Sequence, residues 1–324
     1  MRIAQIVCGP AGCGKSTFCN IMYEHLRINK RIAHVMNLDP AAETFKYPVT
    51  MDIRSIINVQ QTMEKQKLGP NGSLVYCMEY LLEREDWLHE QLDGYDDDYL
   101  ILDMPGQIEL YTHMDIIRQL AHFLQDKLGY HVCALYLLDS HFITDAAKFV
   151  SGALSALSAM IQLEVPHLNV LTKCDLLSGR EGLDQFLDLN TAALLEQMDA
   201  AMGSSVLTYE SKQRDISSQS SSSQSQSSSS SSQSSSSTSS SSSSQSSSSS
   251  SSQSNVTKLN MRREKFHRLN RALCELMDEY SLVSFVPLDI TDEESIERVL
   301  MHIDTATQYG EDVEPREPKD EETE

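Results

Sequence analysis

Eight residues near the amino end, Gly9-Pro10-Ala11-Gly12-Cys13-Gly14-Lys15-Ser16, place three glycines, a lysine and a hydroxyl in the GxxxxGK[ST] spacing. Glycines at those positions let the backbone turn tightly and bring its N–H groups against phosphate oxygens at the positive start of a helix. In that chemistry Gly12, Cys13 and Gly14 supply main-chain donors and Lys15 reaches the terminal phosphates. The Ser16 hydroxyl can ligate Mg2+, and Thr17 adds a further donor. Cys13 stands where a helix terminus would lower a thiol pKa, but at a variable position of the motif, so it reads as filler that is open to oxidation.

Two more groups of residues complete the chemistry. Tyr99-Leu100-Ile101-Leu102-Asp103 runs into Met104-Pro105-Gly106-Gln107, an apolar strand ending in an acid and followed by a DxxGQ turn. Asp103 can hold the water shell of Mg2+, the Gly106 N–H can face a γ-phosphate, and Gln107 can orient an attacking water. Further on, Thr172-Lys173-Cys174-Asp175 has the pattern of an [NT]KxD guanine element. The Asp175 carboxylate can accept from guanine N1–H and the exocyclic amine, a donor pair adenine lacks, while the Lys173 stem lies against the base. Threonine replaces the commoner asparagine at 172, which is expected to cost one hydrogen bond supporting the base and the phosphate loop.

These residues need a scaffold that brings strand ends together. Short branched apolar runs at 3–7, 32–38, 99–102, 132–138, 168–171 and 282–287 alternate with segments of helical period near 15–27, 74–92, 115–128, 145–163, 262–280 and 293–307. That alternation predicts an α/β fold of the P-loop NTPase type, a mostly parallel sheet with helices on both faces. Residues 217–254 are almost all serine with sparse glutamine, a composition that cannot bury enough apolar surface to offset its ordering entropy. The expected organisation is a nucleotide-binding domain over 1–216, a disordered insertion over 217–254, the rest of the domain over 255–310 and an acidic tail over 311–324. The insertion reads as a drifted repeat in a tolerant loop or as a phosphorylation platform. The small-residue helix 149–163 reads as a core helix in preference to a dimer face.

Composition narrows the partners. With 324 residues, 26 basic and 47 acidic, the chain carries a formal charge of −21 and is expected to repel nucleic acid and anionic membranes. Its seven cysteines show no paired CxxC, so neither a disulfide framework nor a zinc site is expected. The chain begins on a strand-like run, and no apolar run is expected to reach the roughly 18 residues of a membrane span. A cytosolic protein, or one shuttling to the nucleus, is expected.

The triplet Gly69-Pro70-Asn71 is by itself only a turn signal. Together with Asn37-Leu38-Asp39-Pro40-Ala41-Ala42-Glu43 and Pro105-Gly106-Gln107-Ile108-Glu109-Leu110-Tyr111-Thr112-His113 it makes nearly the whole chain outside the serine tract resemble the GPN-loop GTPases. The resemblance implies a dimer in which the triplet crosses into the neighbouring nucleotide site, Asn71 stabilising phosphate in trans. It implies that Gln107 and Asp39 position the water and support the magnesium region, and that backbone near Pro287-Leu288 closes over the guanine. It also implies slow Mg2+-dependent GTP hydrolysis, a heterodimer with the GPN-loop GTPase 1 paralogue or a homodimer, and a role in RNA polymerase II assembly and nuclear import. Outside that resemblance, a P-loop small-molecule kinase and a nucleotide-bound scaffold without turnover remain open. The kinase reading wants an arginine-rich lid, and no compact arginine cluster is present.

Overall fold

A computed structural model describes residues 1–95, 98–177, 191–200, 248–280 and 283–310. Strand β1 (Arg2–Cys8) is buried from Ile3 to Cys8 on both faces, as a central strand between two helical layers must be. Beside it lie β2 (Ala33–Asn37), the two-residue β3 (Met51–Asp52), β4 (Tyr99–Asp103), β5 (Tyr130–Asp139), β6 (His167–Thr172) and β7 (Phe285–Pro287). All pairings are parallel, in the order β3-β2-β4-β1-β5-β6-β7. The sheet therefore reverses its direction of growth at β1, and the crevice at the carboxyl end of β1 is where such sheets bind ligands.

Helix α1 (Lys15–Ile28) leaves that crevice, starting from Gly14 in a left-handed conformation (φ 98°). It buries Phe18, Cys19, Met22 and Leu26, which join Ile3, Val7, Ile101 and Leu135 of the sheet in one core cluster. The sequence predicts a single helix over 74–92, but the chain forms α2 (Val59–Gln66), α3 (Pro70–Leu82) and α4 (Glu85–Leu92). Arg84 leaves helical geometry (φ −108°, ψ 47°), which splits α3 from α4 without a glycine or proline to announce it. After β4 come the one-turn α5 (Glu109–Thr112) and α6 (Ile116–His122), whose last turn widens into a π-helix over Phe123–Lys127.

Helix α7 (Ala146–Leu163) is the one element among the described residues that bears on the membrane reading. It has 18 residues and a mean hydropathy of 1.3, long and apolar enough to cross a membrane by length and composition. Lys148, Ser151, Ser155 and Ser158 interrupt the apolar run, which is why counting unbroken apolar residues misses it. Half of the helix is buried, and a Cβ on Gly152 would sit 2.8 Å from Leu138 Cδ2 of β5. It packs as a core helix of the sheet, the favoured of its two sequence readings.

The chain divides into two units, Met1–Leu189 with Ser281–Glu324, and Asn190–Tyr280. In the second unit, helix α8 (Ser248–Glu279) begins well before the expected 262 and takes in the last serines of the tract. Serine is a middling helix former, so it can extend a helix that stronger residues continue. Helical residues 191–200 bond to α8 from Thr191 Oγ1 to Asp278 Oδ1 (2.8 Å) and between Asn270 Nδ2 and Asp199 Oδ1 (3.3 Å). Helix α9 (Glu293–Thr307) closes the first unit, with Asp292 capping the Glu294 N–H and Ile296, Val299, Leu300 and Ile303 facing the core. The rest of the serine tract and the acidic tail lie outside the described residues, as does Leu282.

Candidate functional site

The phosphate loop joins β1 to α1 in a conformation only glycine tolerates. Gly9, Gly12 and Gly14 have φ of 137°, 80° and 98°, and a Cβ on Gly9 would lie 2.4 Å from the Leu137 carbonyl oxygen. The Lys15 side chain is buried and its ammonium donates to the Gly9 and Pro10 carbonyls at 3.0 and 2.9 Å. Gly106 presses on the same loop, where a Cβ would stand 2.8 Å from Ala11 Cα. That approach brings the turn after β4 onto the phosphate loop. The turn itself is anchored by the buried Tyr111, whose hydroxyl donates to the Pro105 carbonyl.

Cys13 departs from its sequence reading. It is 2% exposed, and burial pushes its thiol pKa up, outweighing the nearby Lys15 charge and backbone N–H. A thiol in that setting is neither acidified nor open to oxidation.

Oxygen ligands gather next to the loop. Asp103 is buried at the carboxyl end of β4, and burial raises its pKa despite donation from the Tyr47 and Ser16 hydroxyls and the Lys15 charge. Asp39 follows β2; burial raises its pKa as well, opposed by the Ala41 N–H and by Lys15 and Arg54. Asn37 holds this acid's backbone through two bonds of 3.1 Å and reaches Asp52 Oδ1 at 2.9 Å. Arg54 grips both oxygens of Asp52, donates to the Ala42 carbonyl at 2.9 Å and stacks 4.4 Å from the Phe45 ring. Lys46 Nζ is 3.5 Å from Thr17 Oγ1. Tyr47, Asp52 and Arg54 escaped the sequence reading, since nothing local in that loop reveals partners on β2 and β4.

Ser16, Asp103 and Asp39 together supply a hydroxyl and two carboxylates beside a lysine, a hard-oxygen set that suits Mg2+. Among the described residues no three His, Cys, Asp or Glu side chains converge as a metal cage.

The base side is tied directly to the phosphate side. The Thr172 hydroxyl lies 2.6 Å from the Cys13 carbonyl and 3.2 Å from Leu138 O, so the hydrogen bond expected to be lost with asparagine is made by threonine. Lys173, in a left-handed conformation (φ 61°), donates to Gly12 O at 2.7 Å and to Asp139 Oδ2 at 2.6 Å. The Cys174 N–H donates to Leu288 O and the Leu288 N–H to Leu171 O, at 3.2 and 2.8 Å, which sets the Pro287-Leu288 backbone beside this element. Asp175 lies in a 3-10 turn (Cys174–Leu176), and its Oδ1 is buried without a hydrogen-bond partner. Gln107 Oε1 is likewise buried and unpartnered. Gln5 and His167 also bury polar atoms without a partner, so what singles out Asp175 and Gln107 is their place on turns joined to the phosphate loop.

Among the described residues, no side-chain hydrogen bond or ion pair joins the Gly-Pro-Asn triplet to this cluster. Gly69 is the N-cap of α3 and Pro70 its first residue, a placement suited to proline's missing N–H, so the turn signal is a helix start. Gly69, Pro70 and Asn71 are all exposed, beside the 40% exposed Leu68, on a helix that packs against α2 and α6.

Comparison with known proteins follows this geometry. A family model described as a conserved hypothetical ATP binding protein matches residues 7–248. A relative named GPN-loop GTPase 3 from Dictyostelium discoideum is 42% identical over 317 residues, 97% of this chain and 90% of its own. Proteins of the same name from Danio rerio and Saccharomyces cerevisiae are 40% and 39% identical, each over 98% of this chain and over 92% and 97% of their own. Among solved structures, an apo-form GTPase from Pyrococcus abyssi aligns with a TM-score of 0.50 at 23% identity, covering 58% of this chain and 73% of its own. That likeness speaks to the fold.

Proposed function

The chain belongs to the GPN-loop GTPases, a family of GTP hydrolases, and on that premise we propose that it works as a dimer whose two nucleotide sites are each completed by the partner's triplet. The observation that supports this is the placement of Gly69-Pro70-Asn71. The triplet begins an exposed helix end, on a helix that packs against α2 and α6. An exposed amide that serves the neighbouring subunit's phosphates is consistent with such a placement.

Within one site, the phosphate-loop N–H groups and Lys15 would hold the β- and γ-phosphates, and Asp175 would accept from the guanine edge. Ser16, Asp103 through water and Asp39 would hold Mg2+, which when bound offsets the charge of the β- and γ-phosphate oxygens. Gln107, with its side-chain oxygen unpartnered, would accept from the attacking water and aim it at the γ-phosphorus. Gly106, pressed on Ala11, lets the turn carrying Gln107 respond to the γ-phosphate. In the cell the dimer would assemble RNA polymerase II and accompany it from cytoplasm to nucleus, most often as a heterodimer with the GPN-loop GTPase 1 paralogue. Resemblance to the family supports that part of the reading.

Mixing two defective forms tests the shared site. Lys15→Ala removes nucleotide binding from a subunit that still offers Asn71, and Asn71→Ala leaves a binding subunit without its trans amide. Each alone should hydrolyse GTP poorly, and the mixture should recover activity through hybrid dimers. No recovery in mixtures shown to form hybrids would refute sharing, and phosphate release absent from wild type, alone or with the paralogue, would favour a scaffold.

A further inference from the structure

Tyr47 belongs to no motif in the sequence, yet its hydroxyl donates to Asp103 Oδ2 at 2.7 Å in the protein interior. The ring is 4% exposed and part of the main core cluster, tilted against Phe45 with ring centroids 5.5 Å apart. Phe45 is in turn stacked under Arg54, which is clamped to Asp52, itself bonded to Asn37 beside Asp39. The side chain is thus held at both ends: apolar packing holds the ring, and the carboxylate accepts the hydroxyl's hydrogen bond.

We propose that Tyr47 is a positioning residue for the magnesium site, orienting the Asp103 carboxylate toward the metal's water shell and linking it to the loop that carries Asp39. A carboxylate can rotate about its last torsion, and its two oxygens are equivalent until something distinguishes them. Here one oxygen accepts from Tyr47, which leaves the other directed to the remaining donors. A hydrogen bond to an ionised acceptor is among the stronger kinds, so the orientation is held firmly. The same bond makes the loop after β2 and the strand end at Asp103 one body, because displacing the Asp39 loop would pull the tyrosine off the acid. The inference rests on the reading that Asp103 serves a nucleotide-bound Mg2+.

Tyr47→Phe keeps the buried ring and removes only the donor. The full-length protein is loaded with a fluorescent GDP, and nucleotide release is followed at stepped Mg2+ concentrations and in EDTA. In the variant the Mg2+ concentration that halves the release rate should rise about tenfold, the usual scale for losing a hydrogen bond to a charged group. Release in EDTA and the melting temperature should stay close to wild type. A purely structural tyrosine would change the melting temperature or the EDTA rate and leave the Mg2+ midpoint alone, and that result would overturn the proposal. Wild-type release that ignores Mg2+ altogether would instead remove the magnesium reading on which the proposal stands, and the proposal with it. Tyr47→Ala, by deleting the ring as well, should add a loss of thermal stability to the shifted midpoint.

Discussion

The two ends of strand β4 carry polar clusters of opposite character. At its amino end, Tyr99 and Arg31 meet Asp304 of α9: Arg31 donates to both Asp304 oxygens at 2.9 and 2.8 Å and lies 4.3 Å from the Tyr309 ring. The Tyr99 hydroxyl donates to the same carboxylate, so each charge there has its partner. At the carboxyl end, Asp103, Lys15 and Thr172 hold the loops in place, while Gln107 Oε1 and Asp175 Oδ1 are buried with nothing to bond. The first network ties α9 to the sheet, and the second gathers the loops of the candidate nucleotide site. Substitutions at one end should therefore move stability, and at the other, binding.

The largest effect should come from Lys15→Ala, which removes a buried cation from the phosphates; GTP affinity measured by calorimetry should fall on the order of a hundredfold or more with little change in melting temperature. Next, Asp175→Asn exchanges an acceptor for a donor facing guanine. Competition binding should show the preference for GTP over ATP reduced by about a hundredfold. If either variant mainly unfolds the protein, the division between the two ends fails.

At the closed end, Asp304→Ala leaves the partly buried Arg31 without its carboxylate. Chemical denaturation should show a loss of about 2 kcal/mol, with GTP affinity unchanged. Near the amino end of β6, His167 is half-buried, its Nδ1 enclosed without a partner and its Nε2 3.1 Å from Asn169 Oδ1, and desolvation of the ring lowers its pKa to about 4. The unfolded chain takes up this proton near pH 6.5 and the folded chain only near 4, so the stability due to the neutral ring is complete above pH 6.5 and is lost as pH falls through that window. About 2 kcal/mol should be gone by pH 5, and His167→Gln should flatten this part of the pH–stability curve. Asn71→Ala should have the smallest effect on affinity, under about threefold by the same calorimetry, because among the described residues no side-chain hydrogen bond or ion pair joins the triplet to the cluster that holds the nucleotide within one chain. A loss like that of Lys15→Ala would mean that the triplet contributes to binding as much as the phosphate loop does, and the mixing experiment would then tell whether it acts in its own subunit or in the partner.

Most of the scaffold could be read from local pattern. The phosphate loop needs glycine for its left-handed turns, and the buried strands are continuous branched runs, so β1, β4, β5 and β6 lie within two residues of where the sequence puts them. The failures are long-range. Thr172 finds the Cys13 carbonyl across 159 residues, so its bond to the loop could not be inferred from its identity alone. Tyr47 reaches Asp103 across 56 residues from a loop with neither periodicity nor motif. The start of α3 was hidden because glycine followed by proline marks a helix N-terminus as readily as a turn. The break at Arg84 carries neither glycine nor proline, so a reading by helix breakers passes over it.

The bonds from Thr172 to Cys13 and from Lys173 to Gly12 have a thermodynamic consequence for the ligand. They make the guanine grip and the triphosphate grip one bidentate chelator with a fixed span. Once either end of GTP is seated, the other end meets its receptor at an effective concentration set by that span, and no further entropy of encounter is lost. Guanosine and tripolyphosphate offered as separate molecules should each bind feebly, and their combined free energies should fall well short of that of the intact nucleotide.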